Sequence, residues 1–311
     1  MHYATNDQTH SFTHVTTTSS TFRARLSLAI LLAALFFLTP RLTPATGRVE
    51  CNSLPSKILA RPVPYCVILP ASFDADHSRH FPVLYFLHGL GDNDQFFVHS
   101  GAWDLVEDLR AKHEIKDFLV ATPSAGAGFY INSKDGKNRY EDFMLQEFFP
   151  LIEHRYRVAP GRANRAIDGV SMGGYGALHL AFRHPQLFVS ASAHSPALID
   201  RLPSSAANAP TLGPMNRVFS GVFGNPFDSA FWDAESPLTL ARTANLSGLH
   251  IYFDCGDQDD YGFEVGATAL DKILTSRHIA HEFHLYPGHH DYEYFAYHLP
   301  ASLKFASSLF P

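Results

Sequence analysis

The 311-residue sequence predicts an α/β protein, a doubly wound and mostly parallel sheet with helices on both faces. Three observations point to it. Short apolar runs alternate with segments of helical spacing through the middle and end of the chain. The runs are nearly continuous rather than alternately polar, as strands covered on both faces must be. The loops richest in Gly, Asp and His follow those runs, where a doubly wound sheet gathers its functional groups.

The N-terminus reads differently. Residues 1–25 are polar and Thr/Ser-rich, and Arg23 and Arg25 precede the apolar run Leu26–Leu38 (LSLAILLAALFFL). That run is shorter than the roughly 20 residues a bilayer crossing takes, but it matches the core of an export signal. Thr39-Pro40 ends it, and small residues around Ala45 supply a cleavage zone. Residues 1–45 are therefore expected to be a signal peptide and 46–311 a single mature domain, secreted or periplasmic, with no stable membrane span.

Composition narrows the function. With 46% hydrophobic and 17% charged residues the chain is not disordered. Residues 1–45 hold three of the 24 basic and one of the 30 acidic side chains, leaving 21 against 29 in the mature domain. An acidic balance argues against a nucleic-acid partner. In an oxidising compartment Cys51 and Cys66 can pair and tie down the first mature segment. Cys255 is left over in LHIYFDCG, a run that reads as buried strand. No Cys/His spacing suggests zinc, and Asp92-Asn93-Asp94 lacks the further oxygen ligands of a calcium loop. No metal or organic cofactor is expected.

In chain order, strands are predicted at Tyr65–Leu69, Val83–Leu87, Phe118–Ala121, Ala166–Ile167, Phe188–Ala193, Leu249–Phe253 and His281–Tyr286. Helices are predicted at Trp103–Lys112, Asp142–Tyr156, Gly176–His184, Gly266–Arg277 and Phe295–Leu309. Residues 195–246 break the rhythm. They are Pro- and Ala-rich, carry the aromatic run FSGVFGNPFDSAFW, and are expected to form a cap-like insertion.

The sharpest motif is RAIDGVSMGGYGALHLAFRHP. A short strand runs into Gly169-Val170-Ser171-Met172-Gly173, followed at once by a helical pattern. In this strand–turn–helix setting G-x-S-x-G marks a nucleophilic serine, Ser171, on a tight turn beside a helix N-terminus. A serine hydroxyl needs a base, and the base needs an orienting acid. The chain order Ser, Asp, His directs attention to CGDQDDYG and then GHHDYEYF. Asp259 is preferred as the acid, with Asp260 and Asp257 as alternatives. His290 is preferred over His289 as the base, and His194 is a rival that breaks the order. The oxyanion hole needs two backbone amides: Met172, after the nucleophile, and Leu90, in the loop of VLYFLHGLGDND. His88 would brace that loop. Tyr130 and Trp103, near early strands, are candidates for the substrate pocket.

With these residues in hand, the chain resembles the esterase D / antigen 85-type branch of the α/β-hydrolases. The resemblance runs from about Leu59 to the C-terminus, on YFLHGLGDNDQFF, YEDFMLQEFFPLIEHRYRV, DGVSMGGYGALHLAFRHPQLF, FDCGDQDD and PGHHDYEYFAYHLPASLKF. It implies an α/β-hydrolase fold with Ser171 as nucleophile, Asp259 as acid, His290 as base, and Leu90 and Met172 as oxyanion donors. The implied function is an exported serine carboxylesterase acting on a small-molecule or polysaccharide-linked ester. Two alternatives share the machinery: an acyltransferase, and a thioesterase like the S-formylglutathione hydrolases. A non-catalytic binding protein on this scaffold would be expected to have lost a triad position, and all three are filled here.

Overall fold

The computed structural model describes residues 46–200 and 215–311, with backbone alone at Met215 and Asn216. The predicted signal segment, 1–45, and part of the insertion lie outside the described residues. Eight strands form one sheet: β1 (Arg48–Ser56), β2 (Arg61–Leu69), β3 (Val83–Leu87), β4 (Leu119–Pro123), β5 (Arg165–Gly169), β6 (Ser190–His194), β7 (His250–Gly256) and β8 (Glu282–Tyr286). Their order is β1-β2-β4-β3-β5-β6-β7-β8. The β1–β2 and β2–β4 pairs are antiparallel and every other pair is parallel.

The continuous apolar runs have a simple cause. All five residues of β3 are buried, Val83, Tyr85 and Leu87 toward one face and Leu84 and Phe86 toward the other. Successive side chains of a strand point to opposite faces, so a strand sandwiched between helices must be apolar at every position. One face is covered by α1 (Ala102–Ala111) and by the C-terminal helix. The other is covered by α2, which runs from Tyr140 to Arg155 through a π-helical turn at Met144–Phe148, and by α3 (Met172–Arg183).

The seven predicted strands are all present, and the structure adds β1. Its burial alternates along a polar edge that includes Pro55, so it lacks the apolar run that marks the others. Cys51 lies opposite Cys66 in the β1–β2 register, and the two form a disulfide.

The described part of the insertion folds into α4 (Met215–Phe223), α5 (Ser229–Glu235) and α6 (Pro237–Thr243). Phe219, Phe223 and Trp232 pack together and reach Phe129 and Tyr175 of the main body. Two long helices follow, α7 (Phe263–Ser276) and α8 (Tyr292–Leu309), with α8 lying on the α1 face.

Candidate active site

Ser171 sits between β5 and α3 with φ 56° and ψ −116°, a left-handed conformation that costs a non-glycine residue energy. Three contacts hold it there. Its amide donates to the His194 carbonyl (2.9 Å), and its carbonyl accepts from Ala197 (3.0 Å) and Tyr175 (3.0 Å). The turn is possible because the flanking glycines carry no side chain. A Cβ on Gly173 would fall 1.9 Å from the Leu87 oxygen, and one on Gly169 would fall 2.4 Å from the Gly173 backbone.

The other two residues arrive from the ends of β7 and β8. His290 Nε2 lies 2.9 Å from Ser171 Oγ, and His290 Nδ1 lies 2.7 Å from Asp259 Oδ2. Asp259 Oδ1 accepts from the amides of Tyr261 (3.0 Å) and Phe263 (3.4 Å). Burial alone would raise this carboxyl, but the hydrogen bond and charge of His290 and the two amides hold it below its ordinary range. It stays a carboxylate, able to accept from Nδ1–H and leave Nε2 free to take a proton.

The three neighbouring carboxylates are separated by what they bind. Asp257 accepts from the Gly288 amide (3.2 Å) and Asp260 from the His290 amide (3.0 Å), so both brace the loop that carries the histidine. Asp259 alone reaches the imidazole. His289 points to solvent beside Asp260. The rival His194 is fully buried and meets Ser171 through its carbonyl rather than its ring. Cys255 lies with its Sγ 3.6 Å from Asp259 Oδ2, and burial pushes its thiol pKa far up, so it stays protonated.

Leu90 and Met172 both line the cleft above Ser171. The Met172 amide opens α3, where no earlier carbonyl is in position to accept it. His88 holds the Leu90 loop in place. Its Nε2 accepts from the Ala125 amide (3.0 Å), and its Nδ1–H donates to the Gly89 carbonyl (2.7 Å). Burial lowers its pKa, which keeps the ring neutral and able to accept.

Neither aromatic proposed for the pocket is in it. Tyr130 is fully buried, packs over Gly176 and donates to the His88 carbonyl (3.1 Å), so it supports the Leu90 loop from beneath. Trp103 lies on α1 and packs into the core of that face. The cleft, about 290 Å³, is instead walled by Phe96, Phe129, Phe219, Tyr261, Phe263 and Phe295. Phe219 comes from the insertion, as do Ala197 and Ile199. Tyr261, Phe263 and Phe295 stand edge-on around the His290 ring at 4.8–5.3 Å, which shields it from water. Periodicity cannot separate such cleft aromatics from core ones, because both look apolar.

Among the described residues one group brings metal-ligand atoms within 4.8 Å of one another, Glu141, His179 and Glu235. Arg183 Nη1 lies 2.6 Å from Glu235 Oε2 and His184 Nε2 lies 2.7 Å from Glu141 Oε1. The positive charge this cluster needs is thus supplied by protein, and it ties α3 to α2 and the insertion.

A parallel sheet with a serine on the β5–α3 turn, and with an aspartate and a histidine delivered by the next strand ends, defines the α/β-hydrolase class. The chain belongs to the "Putative esterase" family, whose profile matches residues 56–306. Esterase Rv1288 of Mycobacterium tuberculosis is 31% identical over 244 residues, covering 72% of this chain and 51% of that protein. The chain thus spans about half the length of this relative. Among solved structures, a ferulic acid esterase superposes with a TM-score of 0.73 at 26% identity, over 86% of this chain and 99% of that one. An S-formylglutathione hydrolase from Agrobacterium tumefaciens shares the fold with a TM-score of 0.70 at 19% identity, over 86% and 98% of the two chains.

Proposed function

We propose that the protein is an exported serine carboxylesterase working through an acyl-enzyme. Ser171 Oγ attacks the ester carbonyl while His290 Nε2 takes its proton, and Asp259 holds the imidazole in the tautomer this requires. The Leu90 and Met172 amides stabilise the tetrahedral oxyanion. As the intermediate collapses, His290 returns the proton to the departing alcohol. Water then enters, loses a proton to His290, attacks the acyl carbon, and frees the acid and Ser171. The observation that carries the proposal is the pair of contacts, 2.9 Å and 2.7 Å, that link serine, histidine and aspartate in one line.

The cleft favours a compact, uncharged ester. Its volume, about 290 Å³, suits a short or single-ring acyl group. Among the described residues its lining holds no Arg or Lys, while Asp92 and Asp291 belong to it. A glutathione thioester, which carries two carboxylates, would meet like charge there, so we favour hydrolysis of neutral esters over that alternative. The ferulic acid esterase relative supports an aromatic or sugar-linked ester as the natural substrate class. Export is supported by the Leu26–Leu38 run and by the Cys51–Cys66 disulfide, a bond that persists in oxidising compartments. No helix among the described residues is long and apolar enough to cross a membrane.

The test is turnover of p-nitrophenyl acetate, butyrate and octanoate, methyl ferulate and acetylated xylan by residues 46–311 beside Ser171→Ala. Serine-dependent release of acid from the shorter or aromatic members is the expected result. Labelling of Ser171 by a fluorophosphonate without hydrolysis of any ester would instead support acyl transfer.

A further inference from the structure

Beneath the elbow lies a second histidine–carboxylate assembly that the chemistry above leaves unused. His194, at the end of β6, is fully buried, as are Asp168 of β5 and Asp254 of β7. His194 Nδ1 lies 2.8 Å from Asp254 Oδ2. Its Nε2 lies 2.8 Å from Ser302 Oγ on α8, and 3.8 Å from Asp168 Oδ1. The Ser302 hydroxyl donates its own hydrogen to the Leu299 carbonyl (3.1 Å), so its oxygen accepts from His194. With its hydrogen directed to that carbonyl, the hydroxyl accepts from Nε2 while Asp254 accepts from Nδ1, an arrangement that suits an imidazolium.

The assembly ties together β5, β7 and α8, the elements that adjoin the three triad residues in the chain. Asp168 precedes Ser171 by three residues on β5, and Asp254 precedes Asp259 by five on β7. Asp254 Oδ1 accepts from the Tyr294 hydroxyl (2.9 Å), and Tyr294 lies four residues past His290. Its amide in turn is capped by Asp291, next to His290 (2.9 Å). Tyr252 donates to Asp254 Oδ2 as well (2.9 Å). The backbone of His194 completes the link, since its carbonyl accepts the Ser171 amide.

We propose that His194 is a positioning residue, a buried cation that locks β5, β7 and α8 into the spacing at which Ser171, Asp259 and His290 meet. The inference rests on the serine-esterase mechanism proposed above, and it assigns His194 no contact with substrate. Removing the cation would free the strand end whose carbonyl pins Ser171 in its strained conformation. A displacement near 1 Å between nucleophile and base lowers turnover by about 10²-fold, while the cleft walls Phe96, Phe129 and Phe219 stand on other elements.

The pH dependence follows from the groups around the ring. Those facing it are Asp168, Asp254, Tyr252, Tyr294, Ser302 and, from α8, His298. The helix α3 covers the opposite face, against Ala191 and Ala193. Burial lowers the His194 pKa, but the Asp254 and Asp168 carboxylates outweigh it and push it up to about 9. A folded value above the free one of about 6.5 means the cation's contribution is complete below that pH and is lost as pH rises through about 9.

The experiment compares wild type, His194→Gln and Tyr294→Phe with p-nitrophenyl acetate across the alkaline range, with near-UV circular dichroism at each pH and Ser171→Ala as the blank. The expected result is a kcat lower by about 10- to 100-fold in His194→Gln at unchanged KM, with slower fluorophosphonate labelling. Wild-type kcat should decline around pH 9 while the near-UV spectrum persists, and that decline should be absent from His194→Gln. Tyr294→Phe removes one hydroxyl and little volume, and should lower kcat in the same sense should the histidine variant not fold. Variants with lower Tm but wild-type kcat, or an alkaline decline unchanged in His194→Gln, would overturn the inference. Turnover surviving in Ser171→Ala would instead overturn the esterase mechanism itself, so the two failures are distinguishable.

Discussion

Gly173→Ala should disable the elbow more severely than one methyl group would suggest. The new Cβ would fall 1.9 Å from the Leu87 oxygen, 2.4 Å from the Leu87 carbonyl carbon and 2.7 Å from the His88 oxygen. Carbon–oxygen contacts are comfortable from about 3.3 Å, so α3 and the end of β3 must part by more than about 1 Å. Neither side can yield cheaply. Leu87 is paired to Gly169 in the β3–β5 ladder, and all the obstructing atoms are backbone. Overpacking a core typically costs about 1–3 kcal/mol, and a clash between two fixed backbones belongs at or above the top of that range. At roughly 2–4 °C per kcal/mol for a domain of this size, Tm should fall by about 6–12 °C. The loop carrying Leu90 begins at His88, so the same shift should lower kcat by about 10²-fold even in the folded fraction. The assay is thermal unfolding beside the rate of fluorophosphonate labelling, measured well below either Tm. Gly221→Ala is the control: exposed on α4 with nothing within 4 Å of the new Cβ, it should leave labelling unchanged and stabilise by up to about 1 kcal/mol. A Gly173→Ala enzyme that melts within about 2 °C of wild type and labels at the wild-type rate would refute the close-approach reasoning.

Asp259→Asn should lower kcat by about 10⁴-fold with little change in KM, because an amide can stabilise the wrong tautomer of His290; kcat and KM on p-nitrophenyl acetate read this directly. Replacing Cys51 and Cys66 together by serine should lower the urea-unfolding free energy by up to about 3 kcal/mol, since the bond closes a loop of 15 residues in sequence. Glu141→Gln should cost up to about 3 kcal/mol at neutral pH, because the amide cannot replace the carboxylate toward buried His179 and the partly exposed His184 and Arg183. Burial would raise the Glu141 carboxyl, but His179, His184 and Arg183 hold it far below its ordinary value. Its contribution is therefore present above the unfolded carboxylate range and lost as pH falls, and the gap between variant and wild-type urea midpoints should narrow in acid.

The parts of this protein that could be read from the sequence are those whose physics is local. Strands buried on both faces must be apolar throughout, so β3 was visible to the residue. The elbow was visible because a tight strand-to-helix turn needs glycine on both sides of the serine. The Asp257, Asp259 and Asp260 cluster was located but not resolved, since the choice depends on which carboxylate the β8 loop reaches in three dimensions. Strand β1 escaped notice because an exposed edge strand has no apolar run. Tyr130 and Trp103 cannot be told from cleft aromatics for a related reason: an aromatic side chain has the same sequence signature beneath a loop, within a core or along a cleft. The residues that do wall the cleft come from five separate segments, and their convergence is a property of the fold. His194 reads from the sequence only as a rival base, because nothing there reveals that its ring lies between two carboxylates from neighbouring strands.

The most direct test of the central claim is the ester-dependent turnover of residues 46–311 beside Ser171→Ala, with fluorophosphonate labelling followed by peptide mapping. We predict label on Ser171 alone, turnover of short or aromatic neutral esters, and loss of both in the alanine variant with its Tm intact. Turnover that persists without the Ser171 hydroxyl, or label on another residue, would contradict the assignment of Ser171 as the nucleophile and the mechanism built on it.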